Sequence, residues 1–310
     1  MVLAIISFIY VIFFCLVLSG AMVAYLNAFY FPPKRPVMPF SAKNEDEKGF
    51  LKGLDLSKSL LKSQPYEEIY VKSFDNLSLF GRYYHTKDSA PLVIEFHGYK
   101  GDALRDFSVG DMVFKSLGCN TLLVDQRAHG KSEGKTISFG IYERFDCLSW
   151  IRWANERFGN IPIFLAGISM GGATVLMASD LDLPKNVVGI ISDCPYSSPK
   201  EIICKVCRDF GLSVHFLYPL ITLGAVIFGN FNVGKHSAIE SVKKTHVPIL
   251  LLHGLSDSFV PPDMSYEIYK NCTGEKYLFT FEGAGHGFSF ATDAPKYEHA
   301  IKDFLKKQLI

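Results

Sequence analysis

The stretch IPIFLAGISMGGATVLMAS, residues 161–179, sets three patterns end to end. Residues 161–166 are a continuous apolar run, as in a strand buried on both faces of a sheet. Gly167-Ile168-Ser169-Met170-Gly171 then crowds glycines around one serine, and residues 172–179 continue as a helical pattern. A serine hydroxyl is a weak nucleophile and must stand exposed beside a base. A sharp strand-to-helix turn achieves this, and glycines flank it because side chains there would collide. The helix that follows points its amino end at negative charge developing on a substrate oxygen. Ser169 is therefore the candidate nucleophile, weighed against the plainer reading of a serine in a tight turn.

Outward from this turn, strand and helix patterns alternate from Tyr66 onward. Apolar runs at residues 92–96, 121–124, 187–191, 249–252 and 277–281 read as further buried strands, and residues 68–74 with 77–84 read as a hairpin around Asp75-Asn76. Helical stretches at residues 103–117, 143–158, 262–271 and 294–309 lie between them. This order predicts an α/β fold, a mostly parallel sheet flanked by helices. Residues 197–247 break the rhythm, being far longer than an ordinary connection. Within them VHFLYPLITLGAVIFGNF, residues 214–231, carries no charge. A membrane crossing there would leave the last strands on the wrong side of the bilayer from Ser169. An apolar helical lid over the site is the better reading, with a lid dipping into the membrane as its rival.

Three more turns follow strand runs. In His97-Gly98-Tyr99-Lys100-Gly101 the backbone N–H of Tyr99, together with that of Met170, supplies the two donors that a tetrahedral oxyanion needs; His97 itself reads as structural. His253-Gly254-Leu255-Ser256-Asp257 offers a carboxylate able to orient an imidazole and stabilise its cation. Asp193, beyond the run 187–191, is the rival acid. Gly283-Ala284-Gly285-His286-Gly287 presents His286, a base matched to neutral pH on a loop whose glycines leave room for the ring.

These four pieces, in the order Ser169, Asp257, His286, resemble the α/β-hydrolase superfamily across residues 66–310. Asp125-Gln126-Arg127-Ala128-His129-Gly130-Lys131-Ser132 is similar to the D-x-R-x-H-G-x-S turn of the branch that holds serine-aminopeptidase-like, monoacylglycerol-lipase-like and membrane-anchored bacterial hydrolases. The resemblance implies the α/β-hydrolase fold, a structural role for that turn, and catalytic roles for Ser169, Asp257 and His286, with Tyr99 and Met170 at the oxyanion hole. It implies ester or related acyl hydrolysis through an acyl-serine, with peptidase or amidase activity as the alternative. No metal and no organic cofactor is implied. A catalytically silent ligand-binding protein on the same fold is the rival from another class.

Residues 1–31 contain no Asp, Glu, Lys or Arg and are long enough to cross hydrocarbon as a helix. Prolines and the cations Lys34 and Arg35 follow, as at a membrane exit. A cleaved signal peptide would carry a charged leader and a shorter apolar run. The expected organisation is a transmembrane anchor at 1–31, a tether with at most one helix at 32–65, and the hydrolase domain at 66–310 with its lid at about 197–247. Cations after the span, and seven cysteines, an odd number in a chain too large to need disulfide staples, lean toward a cytoplasmic catalytic domain. Cys204 and Cys207 lack a second ligand pair for zinc and read as packing residues. A net charge of +1 without a basic stripe excludes nucleic acid as a partner. A small-molecule ester with an apolar acyl part and the membrane itself are the expected partners.

Overall fold

The computed structural model describes residues 1–32, 36–39 and 41–309. Pro33, Lys34 and Arg35, the centre of the expected membrane exit, lie outside the described residues. The chain runs α1 (Val2–Ala28), α2 (Glu45–Ser63), β1 (Glu67–Lys72), β2 (Ser78–Tyr84), β3 (Leu92–Phe96), α3 (Ala103–Asp106), α4 (Gly110–Ser116), β4 (Asn120–Asp125), α5 (Glu143–Phe158), β5 (Ile163–Ile168) and α6 (Met170–Ala178). It continues through β6 (Val187–Asp193), α7 (Pro199–Asp209), α8 (Val214–Gly229), α9 (Ala238–Val242), β7 (Ile249–Gly254), α10 (Asp263–Asn271), β8 (Lys276–Phe281), α11 (Ser289–Thr292) and α12 (Ala294–Gln308). The strands form one sheet in the order β1-β2-β4-β3-β5-β6-β7-β8. The hairpin β1–β2 and the pair β2–β4 are antiparallel, and the remaining neighbours are parallel.

The apolar runs become the central strands because helices cover both faces there, leaving β3, β4 and β7 buried throughout. β3 lies between β4 and β5, so the strand order reverses at β3. The crevice beyond the carboxyl ends of β3 and β5 is where such sheets bind ligands. The helical stretch expected at residues 103–117 is instead two short helices. The break follows Asp106, whose carboxylate turns back to accept from the Gly98 N–H at 2.8 Å.

Two N-terminal segments take part in the fold. α1 is long and apolar enough to cross a membrane, and its first half is exposed. Its second half packs along α8, where a Cβ on Gly224 would sit 2.3 Å from the Ala21 carbonyl oxygen. The stretch read as a tether holds α2, capped by Asn44 and seated on the domain through buried Leu54 and Leu61. α7 and α8 lie within the stretch read as a lid.

Candidate active site

Gly167 and Gly171 show why Ser169 stands where it does. A Cβ on Gly167 would lie 2.3 Å from the Gly171 carbonyl, and one on Gly171 would lie 1.8 Å from the Phe96 oxygen. Only glycine lets β5, the turn and α6 approach so closely to β3. Ser169 occupies the apex at φ 55°, a backbone region that costs a non-glycine residue about 1–3 kcal/mol. Its N–H donates to the Asp193 carbonyl at 2.8 Å.

The loops after β7 and β8 converge on this serine. His286 Nε2 lies 2.9 Å from Ser169 Oγ, and His286 Nδ1 lies 2.6 Å from Asp257 Oδ2. The other Asp257 oxygen accepts the backbone N–H groups of Phe259 and Val260 at 2.9 and 2.8 Å. Burial works against ionising Asp257, but His286 and His253 outweigh it and hold the carboxyl well below the usual range. The anion facing Nδ1 keeps the proton on that nitrogen and leaves Nε2 to accept from the serine.

Asp193 does not reach His286 with its carboxylate. It takes hydroxyl protons from Ser289 at 3.3 Å and Tyr297 at 3.1 Å, bracing β6 against α11 and α12. Burial pushes its carboxyl up to about 6, against the pull of His253, Tyr297, His286 and Ser289. Cys194, Asp257 and His286 place one ligand atom each within 4.8 Å of one another. Both His286 nitrogens are engaged in the arrangement above, and burial keeps the Cys194 thiol protonated by pushing its pKa well up. Those three residues therefore make a poor metal site.

Tyr99 stands beside Ser169 on the wall of the site, and Met170 opens α6 directly after it. A Cβ on Gly98 would come within 3.5 Å of Ser169 Cβ, which shows how closely the β3 turn approaches that serine. His97 is buried, and its Nε2 accepts from the Gln126 N–H at 3.1 Å. Arg127 is buried between Asp146 and Asp75, making a bidentate pair with Asp146 at 2.7 Å, so the turn after β4 is structural.

Sequence reasoning missed two contacts that hold the site. Glu47 of α2 is buried and accepts the Gly285 N–H at 2.9 Å, tying the His286 loop to a segment 238 residues away. The Tyr99 hydroxyl donates to the Ala28 carbonyl at 2.7 Å, tying the β3 turn to the end of α1. Only the apolar spacing Phe50, Leu54, Leu61 hinted that α2 packs, and nothing local named either partner.

Two cavities meet at Ser169. A smaller one of about 280 Å³ has Lys43, Arg105, Asp106, Lys205 and Ser258 among its lining residues. An apolar one of about 910 Å³ runs from Ser169 and Tyr99 under α7 and α8 to α1.

Residues 87–217 match the family model described as Serine aminopeptidase, S33, and residues 230–310 match that of the prolyl oligopeptidase family. The chain is 26% identical over 275 residues to the protein YqkD of Bacillus subtilis, covering 86% of this chain and 88% of YqkD. It is 25% identical over 252 residues to the lysophosphatidylserine lipase ABHD12 of Danio rerio, covering 77% of this chain but only 61% of that relative's length. The esterase Pf2001 of Pyrococcus furiosus has a similar structure, with a TM-score of 0.67 at 20% identity, covering 90% of this chain and 98% of the esterase. With one mostly parallel sheet, the serine turn between β5 and α6, and these matches spread over the sheet-bearing part of the chain, the protein is a member of the α/β-hydrolase superfamily.

Proposed function

We propose that the chain is a membrane-associated serine hydrolase that cleaves the ester bond of a substrate with a long apolar acyl part. The observation that supports this most is the relay from Ser169 Oγ to His286 to Asp257 at the junction of a large apolar cavity and a smaller one that holds charged side chains. In this mechanism His286 Nε2 takes the serine proton as Ser169 Oγ bonds to the ester carbonyl carbon. The N–H groups of Tyr99 and Met170 hold the resulting oxyanion, each such donor lowering the barrier by about 3 kcal/mol. The tetrahedral adduct collapses, the alcohol leaves with the proton returned by His286, and an acyl-serine remains. Water, deprotonated by the same nitrogen, then releases the acid and restores Ser169.

The character of the larger cavity favours an acyl chain over a peptide. A buried peptide backbone needs partners for its N–H and C=O groups, whereas a hydrocarbon chain needs only aliphatic and aromatic walls. The lipase relative points in the same direction. The length and apolar composition of α1 support a membrane location.

The test is fluorophosphonate labelling of the full chain in detergent beside Ser169→Ala, with p-nitrophenyl esters and aminoacyl p-nitroanilides as substrates. The expected result is labelling and ester turnover by the parent, with turnover lost about 10⁵-fold or more in the variant. Anilide turnover exceeding ester turnover would replace the reading with a peptidase. An unlabelled parent would replace it with a ligand-binding protein.

A further inference from the structure

We propose that the membrane helix α1 is itself a wall of the substrate site, and that a single-chain lipid ester slides from the bilayer into that site between α1 and the lid. The proposal rests on the ester-hydrolase reading above and adds where the substrate comes from and which residues admit it.

The apolar cavity that starts at Ser169 is not closed by the hydrolase domain alone. Gly20, Val23 and Ala24 of α1 line it together with Ile203 and Val206 of α7 and Leu220 of α8. α1 is held in that position by close packing. Ala21 and Ala24 are buried, and Gly224 of α8 meets the Ala21 carbonyl where no larger residue would fit. The Tyr25 hydroxyl bonds to Thr136 Oγ1 at 2.6 Å, and its ring packs against Phe228. A helix serving only as an anchor needs no such seat.

The mouth of the cavity lies on the same side. Val23 is 58% exposed, Phe210 75% and Leu212 49%, and all three line the cavity, so its rim is an apolar surface. Exposed apolar side chains grouped at a cavity mouth, beside a membrane helix, mark a surface that meets lipid. The length of α1 sets the height of that mouth. Residues 2–20 rise about 28 Å at about 1.5 Å each, close to the roughly 30 Å of a hydrocarbon core. The docked turns that follow, with Val23 among them, therefore start at the bilayer surface. A lipid tail can pass from the acyl region into the cavity without crossing water, while its polar head remains beside Lys43, Arg105 and Lys205 in the smaller cavity. The end of α1 also reaches the β3 turn, since Tyr99 Oη and Lys100 Nζ donate to the Ala28 and Asn27 carbonyls at 2.7 and 3.1 Å.

The test uses the full chain in phosphatidylcholine vesicles with p-nitrophenyl acetate and p-nitrophenyl palmitate. Val23→Trp narrows the mouth from α1 without entering the packed seam. Met22→Trp adds the same ring at an exposed α1 position that does not line the cavity. The expected result is a palmitate-to-acetate ratio of kcat/KM at least tenfold lower in Val23→Trp, and unchanged in Met22→Trp. If the parent turns over both esters and Val23→Trp keeps the parental ratio, α1 is not a wall of the site, although the hydrolase reading stands. Equal losses in both tryptophan variants also overturn the proposal. A parent that turns over the acetate but not the palmitate overturns it as well. A parent that neither labels nor turns over any ester removes the hydrolase reading, and this inference with it.

Discussion

Ser169 is held at φ 55° and ψ −115° because its neighbours leave no other path between β5 and α6. That strain lifts its hydroxyl to within 2.9 Å of His286. The two carboxylates near it are told apart by their surroundings. Asp257 is held well below the usual carboxylate range by His286 and His253, whereas Asp193 is pushed up to about 6 and faces two hydroxyls. Asp257→Asn should therefore lower kcat about 10³- to 10⁴-fold through loss of the correct tautomer. Asp193→Asn should keep kcat within a few-fold, read by initial rates on a short ester. Equal losses in the two variants would reverse the assignment.

At the scale of elements, the loop that carries His286 is held by the packing of α2. Glu47 reaches Gly285 N–H from a helix whose Leu54 and Leu61 are buried and whose Phe50 packs against Phe288 with ring centroids 6.1 Å apart. The spacing of those apolar residues follows a helical stripe, but the acidic and basic residues between them made the segment read as a tether. Glu47 is thus a positioning residue for the base. Glu47→Ala should lower kcat on a short ester about 10- to 100-fold with little change in KM, because a small displacement of a base is costly. Glu47→Gln, which retains an acceptor for the Gly285 N–H, should recover most of the rate. A purely structural role would lower the melting temperature of Glu47→Ala and leave kcat intact in the folded protein.

Across the whole molecule, one buried acid sets a pH dependence separate from catalysis. Glu95 of β3 is fully buried, and neither of its oxygens has a hydrogen-bond partner among the described residues. Burial first, then the nearby Asp111 anion, raise its pKa well above the ordinary 4.5, against the pull of Lys115. The folded protein therefore keeps a proton that the unfolded chain releases above pH 4.5, so stability falls as pH rises beyond that value. Asp111, also raised by burial although it lies 2.8 Å from Lys115 Nζ, adds to the same slope. Glu95→Gln should match the parent near pH 4.5 and exceed it by about 1–3 kcal/mol at pH 8, read from denaturant midpoints. A gap that does not widen with pH would show that Glu95 ionises freely in the folded state.

Patterns of short range made much of this protein legible before any coordinates. Apolar runs bounded by glycine marked the strands, and Gly167, Gly171 and Gly172 around Ser169 announced a turn of close backbone approach. Residues 1–31 announced a helix able to span hydrocarbon, because lipid imposes length and the absence of charge. The tertiary structure alone decided which partners meet. Asp193 and Asp257 both end or follow strands, and only the path of the β7 loop brings an Asp257 oxygen within 2.6 Å of His286. The sequence presented α1 as an anchor and residues 214–231 as a lid, each explicable alone. Their docking through Ala21 and Gly224 makes both part of the lining of one cavity. The physical reason is that periodicity records what each segment buries, whereas the identity of what it is buried against depends on packing between residues some two hundred positions apart.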